Sequence, residues 1–160
     1  MAITDDFKDA MAGWASGVSV VTTRADGLAY GLTVSSFSSV SLDPPIVSVC
    51  LGQGNRLADM IRTSRRLAIS LLARDQESVS NHFASRGREP GADLAVPTVS
   101  SDDGIPIVEG ALGWLVCDVH DMTAVGDHTV VFGQVTEAGA AEEGSPLLYW
   151  SRAYRGVTPP

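Results

Sequence analysis

YGLTVSSFSSVSLDPP, residues Tyr30 to Pro45, sets a run of hydroxyl side chains (Thr33, Ser35, Ser36, Ser38, Ser39) into a strand-like segment that stops at two consecutive prolines. Serine and threonine are poor buried partners unless each hydroxyl finds a hydrogen bond, so the segment either faces solvent or carries something polar. Immediately upstream, Asp26-Gly27 is a strong hairpin signal between the β-branched run GVSVVTTRA and LAYGLTVSSF, which makes the hydroxyl-rich stretch the second arm of a hairpin. Downstream, IVSVCL reads as a strand buried on both faces.

Working outward, Thr4 to Trp14 has the spacing of a short amphipathic helix capped by Thr4, with Phe7, Met11 and Trp14 on one face, and Gly17 ends it. Helical spacing returns over Asn55 to Arg62 through Leu57, Met60 and Ile61. LAISLLA (Leu67 to Ala73) is a strand, and Asp75 can cap a helix ending near Ala84. The Gly-, Pro- and Asp-rich run from Arg86 to Gly104 reads as a long loop. Two strands, ALGWLVCDVHDM and HTVVFGQVTEA, turn around Ala124 to Asp127, and a short strand PLLYW precedes the tail. Many short strands with few helices favour a mainly β, closed or split barrel in one domain spanning residues 1–160. No GxGxxG opens a helix after a strand, which argues against a Rossmann unit.

Composition narrows the function classes. With 160 residues and 44% hydrophobic content the chain can bury a core, and its formal charge of -8 with a single lysine, Lys8, disfavours nucleic acid as a partner. There is neither a signal-peptide pattern nor an apolar stretch of membrane-spanning length, so a soluble cytoplasmic protein is expected. The two cysteines, Cys50 and Cys117, lie in apolar strand contexts and read as buried reduced thiols, with a bridge or a reactive thiol as the alternative. No Cys/His spacing points to a metal.

Taken in order, GVSVVTT, YGLTVSSFSSVSLDPPIVSVCL, SVSNHFA, GDHTVVFGQV, PLLYW and AYRG resemble the short-chain NAD(P)H-dependent flavin reductases of the FMN-binding split-barrel family, the reductase components of two-component flavin monooxygenases. The resemblance runs from Gly17 to Gly156 and implies a Greek-key split barrel, a homodimer and a separate oxygenase partner. It implies FMN or FAD as the bound flavin and NADH or NADPH as the hydride donor. Carried over, Thr33, Val34, Ser35, Ser36 and Phe37, with Ser39, Val40 and Cys50, would line the flavin. Residues Gly52, Gly54, Asn55 and Arg56 would hold phosphate at a helix start, where free N–H groups and a guanidinium suit an anion. Phe83 and Ala84 match a flavin-contacting pair, and Tyr154 and Arg155 an element near the nicotinamide nucleotide. His128, beside Asp127 in a turn, would orient nicotinamide or offset charge on the reduced flavin. Ser70 falls where many members carry Asn, so no side-chain contact is implied there.

Each of these residues has a plainer reading. The hydroxyl run can be a polar strand edge, Arg56 a surface residue, Phe83 a core residue of an amphipathic helix, and His128 a structural turn residue. Two other functions share the pattern: a flavin- or deazaflavin-binding split-barrel protein that acts on another small molecule or stores flavin, and a non-enzymatic β-barrel interaction module.

Overall fold

A hairpin closed by Asp26-Gly27 begins the sheet. Both residues hold positive φ (51° and 77°), as a two-residue turn of this type requires, and join β2 (Ser19–Ala25) to β3 (Leu28–Val34). The computed structural model describes residues 3–157. Its central sheet has seven antiparallel strands in the order β3-β2-β6-β9-β10-β5-β4. The others are β4 (Ser38–Leu42), β5 (Pro45–Gly52), β6 (Arg66–Leu71), β9 (Gly113–Val125) and β10 (His128–Ala140).

The hydroxyl-rich stretch is not one strand. It breaks after Val34, and its two halves become β3 and β4 on opposite edges of the sheet. Residues 35–37 step across from one edge to the other, and Ser36 stitches the crossing to β5: its hydroxyl accepts from the Cys50 N–H at 2.9 Å and donates to the Cys50 carbonyl at 3.2 Å. Proximity of β3 and β5 closes the sheet into a barrel. Strand β5 is buried on one face only, through Val47, Val49 and Leu51, while Ile46, Ser48, Cys50 and Gly52 form a half-exposed row. An alternation hidden by the small polar Ser48 and Cys50 replaces the two-sided burial expected from IVSVCL.

The barrel interior gathers Val21, Val34, Val49, Leu51, Ile69 and Val131, and helix α2 (Arg56–Ser64) covers one end with Leu57, Ala58 and Ile61. Asn55 caps α2 by accepting from the Leu57 N–H at 2.8 Å, and Arg65 closes it in the left-handed conformation. A second core packs Phe83 of α3 (Glu77–Ala84) against Val20 and Ala29 on the other face of the hairpin. Gly31 makes that approach possible: a Cβ there would stand 2.9 Å from the Phe83 ring. Asp75 does not cap α3. Gln76 occupies that position, its side-chain oxygen turned back to the Ala73 N–H.

Helix α1 spans Ile3–Ala12, so Thr4 lies inside it, and none of its residues is buried. It leads into β1 (Ser16–Gly17), which pairs with β11 (Leu148–Trp150), itself paired with β12 (Ala153–Arg155). The tail beyond PLLYW is therefore the second arm of a hairpin. The Arg86–Gly104 run is mostly irregular but bridges Ala29 at Gly91 and carries β7 (Thr98–Ser100), which pairs with β8 (Pro106–Val108). Ser70 is buried and accepts from the Val108 N–H, so it serves this small hairpin. Both cysteines are free thiols, Cys117 buried and Cys50 half-buried.

Candidate functional site

The crossing at residues 35–37 positions two groups of side chains. On one side, Thr33 donates to the Ser80 carbonyl of α3 at 2.7 Å, and the buried Ser80 hydroxyl meets the Tyr154 hydroxyl at 2.7 Å. Together with Val18, Ser35 and Ala84 they line a cavity of about 210 Å³. Hydrophobic pairing fixes α3 over β3, and the hydroxyl pair fixes the C-terminal hairpin over α3.

On the other side, β10 pairs with β5 so that His128 lies opposite Gly52. Gln53 secures the junction: its N–H donates to the Asp127 carbonyl at 2.9 Å and its side-chain amide to the Gly126 carbonyl at 2.8 Å. The Gly52–Arg56 connection into α2 and the β9–β10 turn are thus one corner of the molecule. Gly54 takes a positive φ of 71° within it. The guanidinium of Arg56 pairs with Glu89, from the loop after α3, which links this corner to the end of α3.

His128 is half-exposed, and its Nδ1 lies 2.7 Å from an Asp127 carboxylate oxygen. An ionised carboxylate only accepts, so Nδ1 carries a proton and donates it. The same contact, followed by the charge on His128, holds the Asp127 carboxyl below its usual range. Burial raises the Cys117 thiol to about 12, with Asp118 adding to the shift and Arg66 opposing it. That thiol is held neutral inside the barrel and takes no part in the site.

Among the hydroxyls, Thr33 and Ser36 already bond to protein carbonyls, whereas Ser35 makes no side-chain hydrogen bond among the described residues. Cys50 places its half-exposed side beside Ser36. Phe37 reaches the barrel core, and Ser35 and Phe37 share the wall of a larger, mainly apolar cavity of about 580 Å³ with Trp14 and Leu115. Val34 is buried, and the Phe83 ring, at 0% exposure, offers no surface to a ligand. Only the backbone around Phe83 and the exposed Ala84 can face one. Ser39 and Val40 are exposed on edge strand β4, apart from both groups. Arg155 is exposed, its guanidinium 5.9 Å from the Trp150 ring centre.

Three contributors escaped the sequence reading. Ser80 lies within SVSNHFA but has no local signature separating it from Ser78. Glu89 pairs with Arg56 only through the fold. Arg88 donates to the carbonyls of Phe83 (2.7 Å), Ser85 (3.1 Å) and Gly31 (2.8 Å) and packs against the Tyr30 and Phe83 rings, clamping the end of α3 to β3. Nothing near it in sequence marks that clamp.

The arrangement suits a planar, polar heterocycle with an anionic tail. A half-exposed strand face with one unused hydroxyl is continuous with a glycine-rich helix start carrying a guanidinium. Among the described residues there is no cluster of metal-binding side chains, and no helix is long and apolar enough to cross a membrane.

A family model described as a flavin reductase like domain matches residues 11–158. The reductase component of 4-hydroxyphenylacetate 3-monooxygenase from Thermus thermophilus is 38% identical over 154 residues, covering 96% of this chain and 97% of that protein. An NADH-dependent flavin reductase from a Rhodococcus species is 37% identical, covering 94% and 84%. The structure of the flavin reductase PheA2 superposes with a TM-score of 0.88 at 33% identity, covering 97% of this chain and 98% of that one.

Proposed function

The chain belongs to the flavin reductase-like family, and from that membership we propose that it reduces free FMN or FAD with NADH or NADPH and passes the product to a separate oxygenase. It is an oxidoreductase of the flavin reductase type with a split-barrel fold. The observation that carries the reading is that likeness to flavin reductases extends over nearly the whole chain and includes the hydroxyl-bearing crossing. The chemistry is transfer of hydride from nicotinamide C4 to flavin N5, which asks the protein for stacking geometry and charge compensation and no nucleophile.

In this proposal Ser35 and the β5 row at Cys50 orient the flavin. The Gly54 N–H and the guanidinium of Arg56 hold its phosphate, once Arg56 leaves Glu89; the Gln53 N–H is already given to the Asp127 carbonyl and the Asn55 N–H to the Gly52 carbonyl. An exposed ion pair of that kind is worth about 0–1 kcal/mol, so the exchange is easy. His128, with a proton kept on Nδ1 by Asp127, stands at the nicotinamide face. Tyr154 shapes the far wall through Ser80.

We also propose a homodimer of single-domain subunits. Helix α1 turns Ile3, Phe7 and Met11 to solvent, and Trp14 just beyond it is 71% exposed. A second copy would cover that face.

NADH and NADPH oxidation measured with each flavin, with and without oxygen, tests the activity. Saturable turnover of added free flavin supports it, and a tightly held flavin with no turnover would replace it by the storage reading. His128→Ala should lower the rate of flavin reduction about tenfold with flavin affinity unchanged, and an unaltered stopped-flow rate would remove His128 from the nicotinamide face.

A further inference from the structure

Within the Gly52–Asn55 connection the Gln53 N–H is given to the Asp127 carbonyl and the Asn55 N–H to the Gly52 carbonyl, so an anion at this corner depends chiefly on the Arg56 guanidinium. That guanidinium is engaged: its one side-chain partner among the described residues is the carboxylate of Glu89. We propose that Glu89 is a built-in competitor for the flavin phosphate, which holds Arg56 whenever flavin does not and so sets how readily flavin exchanges. The inference rests on the flavin reading above and adds a residue that governs flavin release.

Glu89 differs from an ordinary surface partner in how its backbone is held. On one side, Arg88 anchors the chain through its guanidinium, which donates to the Phe83 carbonyl at 2.7 Å and to the Gly31 carbonyl at 2.8 Å. On the other, Gly91 and Ala29 of β3 exchange both backbone hydrogen bonds, at 2.7 and 3.1 Å. Pro90, between these anchors, has its φ fixed by the ring. The carboxylate is therefore offered to Arg56 from a short segment fastened at both ends, and less chain freedom is lost when the pair forms than between two loose surface segments. Asp59, one turn further along α2, is drawn to Arg62 at 2.6 Å and does not take the place of Glu89.

Chemistry selects what displaces it. A guanidinium fork matches a carboxylate and a phosphate in the same way, so the two compete for one set of donors. A phosphate monoester carries more charge than a carboxylate and takes the fork when flavin is abundant. The displaced Glu89 stays tethered beside it at high effective concentration and re-forms the pair when flavin departs. Its charge also repels the bound phosphate. Both effects lower the affinity for oxidised and reduced flavin alike, because both bear the same phosphate. That suits a reductase whose product has to leave.

Titration of the flavin-free protein with FMN and with riboflavin, which keeps the ring and ribityl chain but lacks the phosphate, tests this by flavin fluorescence. Glu89→Gln should bind FMN about fivefold more tightly than wild type, the size expected for loss of an exposed ion pair. Riboflavin should bind both proteins equally, which also shows that the variant folds. The gain for FMN should shrink as salt is raised, and in an Arg56→Gln background it should fall below about twofold. Unchanged FMN affinity in Glu89→Gln, or riboflavin tightened as much as FMN, would overturn the role of Glu89 while leaving flavin binding itself in place. Absence of FMN and riboflavin binding to wild type would overturn the flavin reading with it.

Discussion

Ser35 and Ser36 are neighbours with different partners, and substitution should separate them. The Ser36 hydroxyl satisfies both backbone groups of Cys50, so Ser36→Val leaves a partly buried N–H unpaired and should cost about 1–3 kcal/mol in a denaturant titration. Ser35→Val removes a hydroxyl that makes no side-chain hydrogen bond among the described residues. It should leave stability within about 0.5 kcal/mol of wild type while weakening flavin binding several-fold. Equal flavin affinity in that variant would move the ring elsewhere. Cys117 supplies a pH signature. Its thiol titrates near 9.0 when unfolded and at about 12 in the folded barrel, so the unfolded chain loses that proton first as pH rises. Stability is undiminished below pH 9 and falls across the window up to about 12, with a slope approaching about 1.4 kcal/mol per pH unit from this group. Unfolding Cys117→Ala over the same window should show a flatter dependence, and an identical slope would mean that the thiol titrates normally.

At the scale of elements, periodicity and turn chemistry made most of the sheet legible before any coordinates. The Asp26-Gly27 turn and the helical spacing of Leu57, Met60 and Ile61 are local signals, and the hairpin and α2 form where those signals stand. What stayed hidden is non-local. Nothing in TVSSFSS says that the chain leaves one sheet edge and joins the other, because strand propensity is the same on both. Gln76 displaces Asp75 at the start of α3 because its amide also reaches the Glu109 carbonyl, a partner far along the chain. The candidate site was partly legible for the same reason: its hydroxyl wall and helix start are contiguous runs, whereas Ser80, Arg88 and Glu89 join it only through packing. Gly31 tests how far the wall depends on that packing. Gly31→Ala would press a methyl group into the Phe83 ring and push α3 from β3, at a cost of about 1–3 kcal/mol. Flavin affinity should fall with it because Thr33 hangs from the Ser80 carbonyl of the displaced helix. An unchanged thermal midpoint would show that α3 slides freely.

The whole molecule is unevenly covered. Sequence periodicity showed that α1 is amphipathic but not what its apolar face meets, and within the described residues that face meets little. The helix is tied on by contacts at its end and flank: the Trp150 side chain donates to the Gly13 carbonyl, Ser151 N–H to the Ala12 carbonyl, and Arg152 pairs with Asp9 at 2.5 Å. Edge strand β4 likewise leaves Leu42 90% exposed. Sedimentation should therefore give a dimer, and Phe7→Ser with Met11→Ser should shift it toward monomer, while an active wild-type monomer would contradict the arrangement. The stitch at Ser36 has a consequence for motion. The crossing is held to β5 by the Ser36 hydroxyl and can part from it there, like a cuff unbuttoned, while every ladder of the sheet stays whole. Deuterium should then enter at the Cys50 amide sooner than at Val49 or Leu51, and a bound ring spanning the gap should slow it.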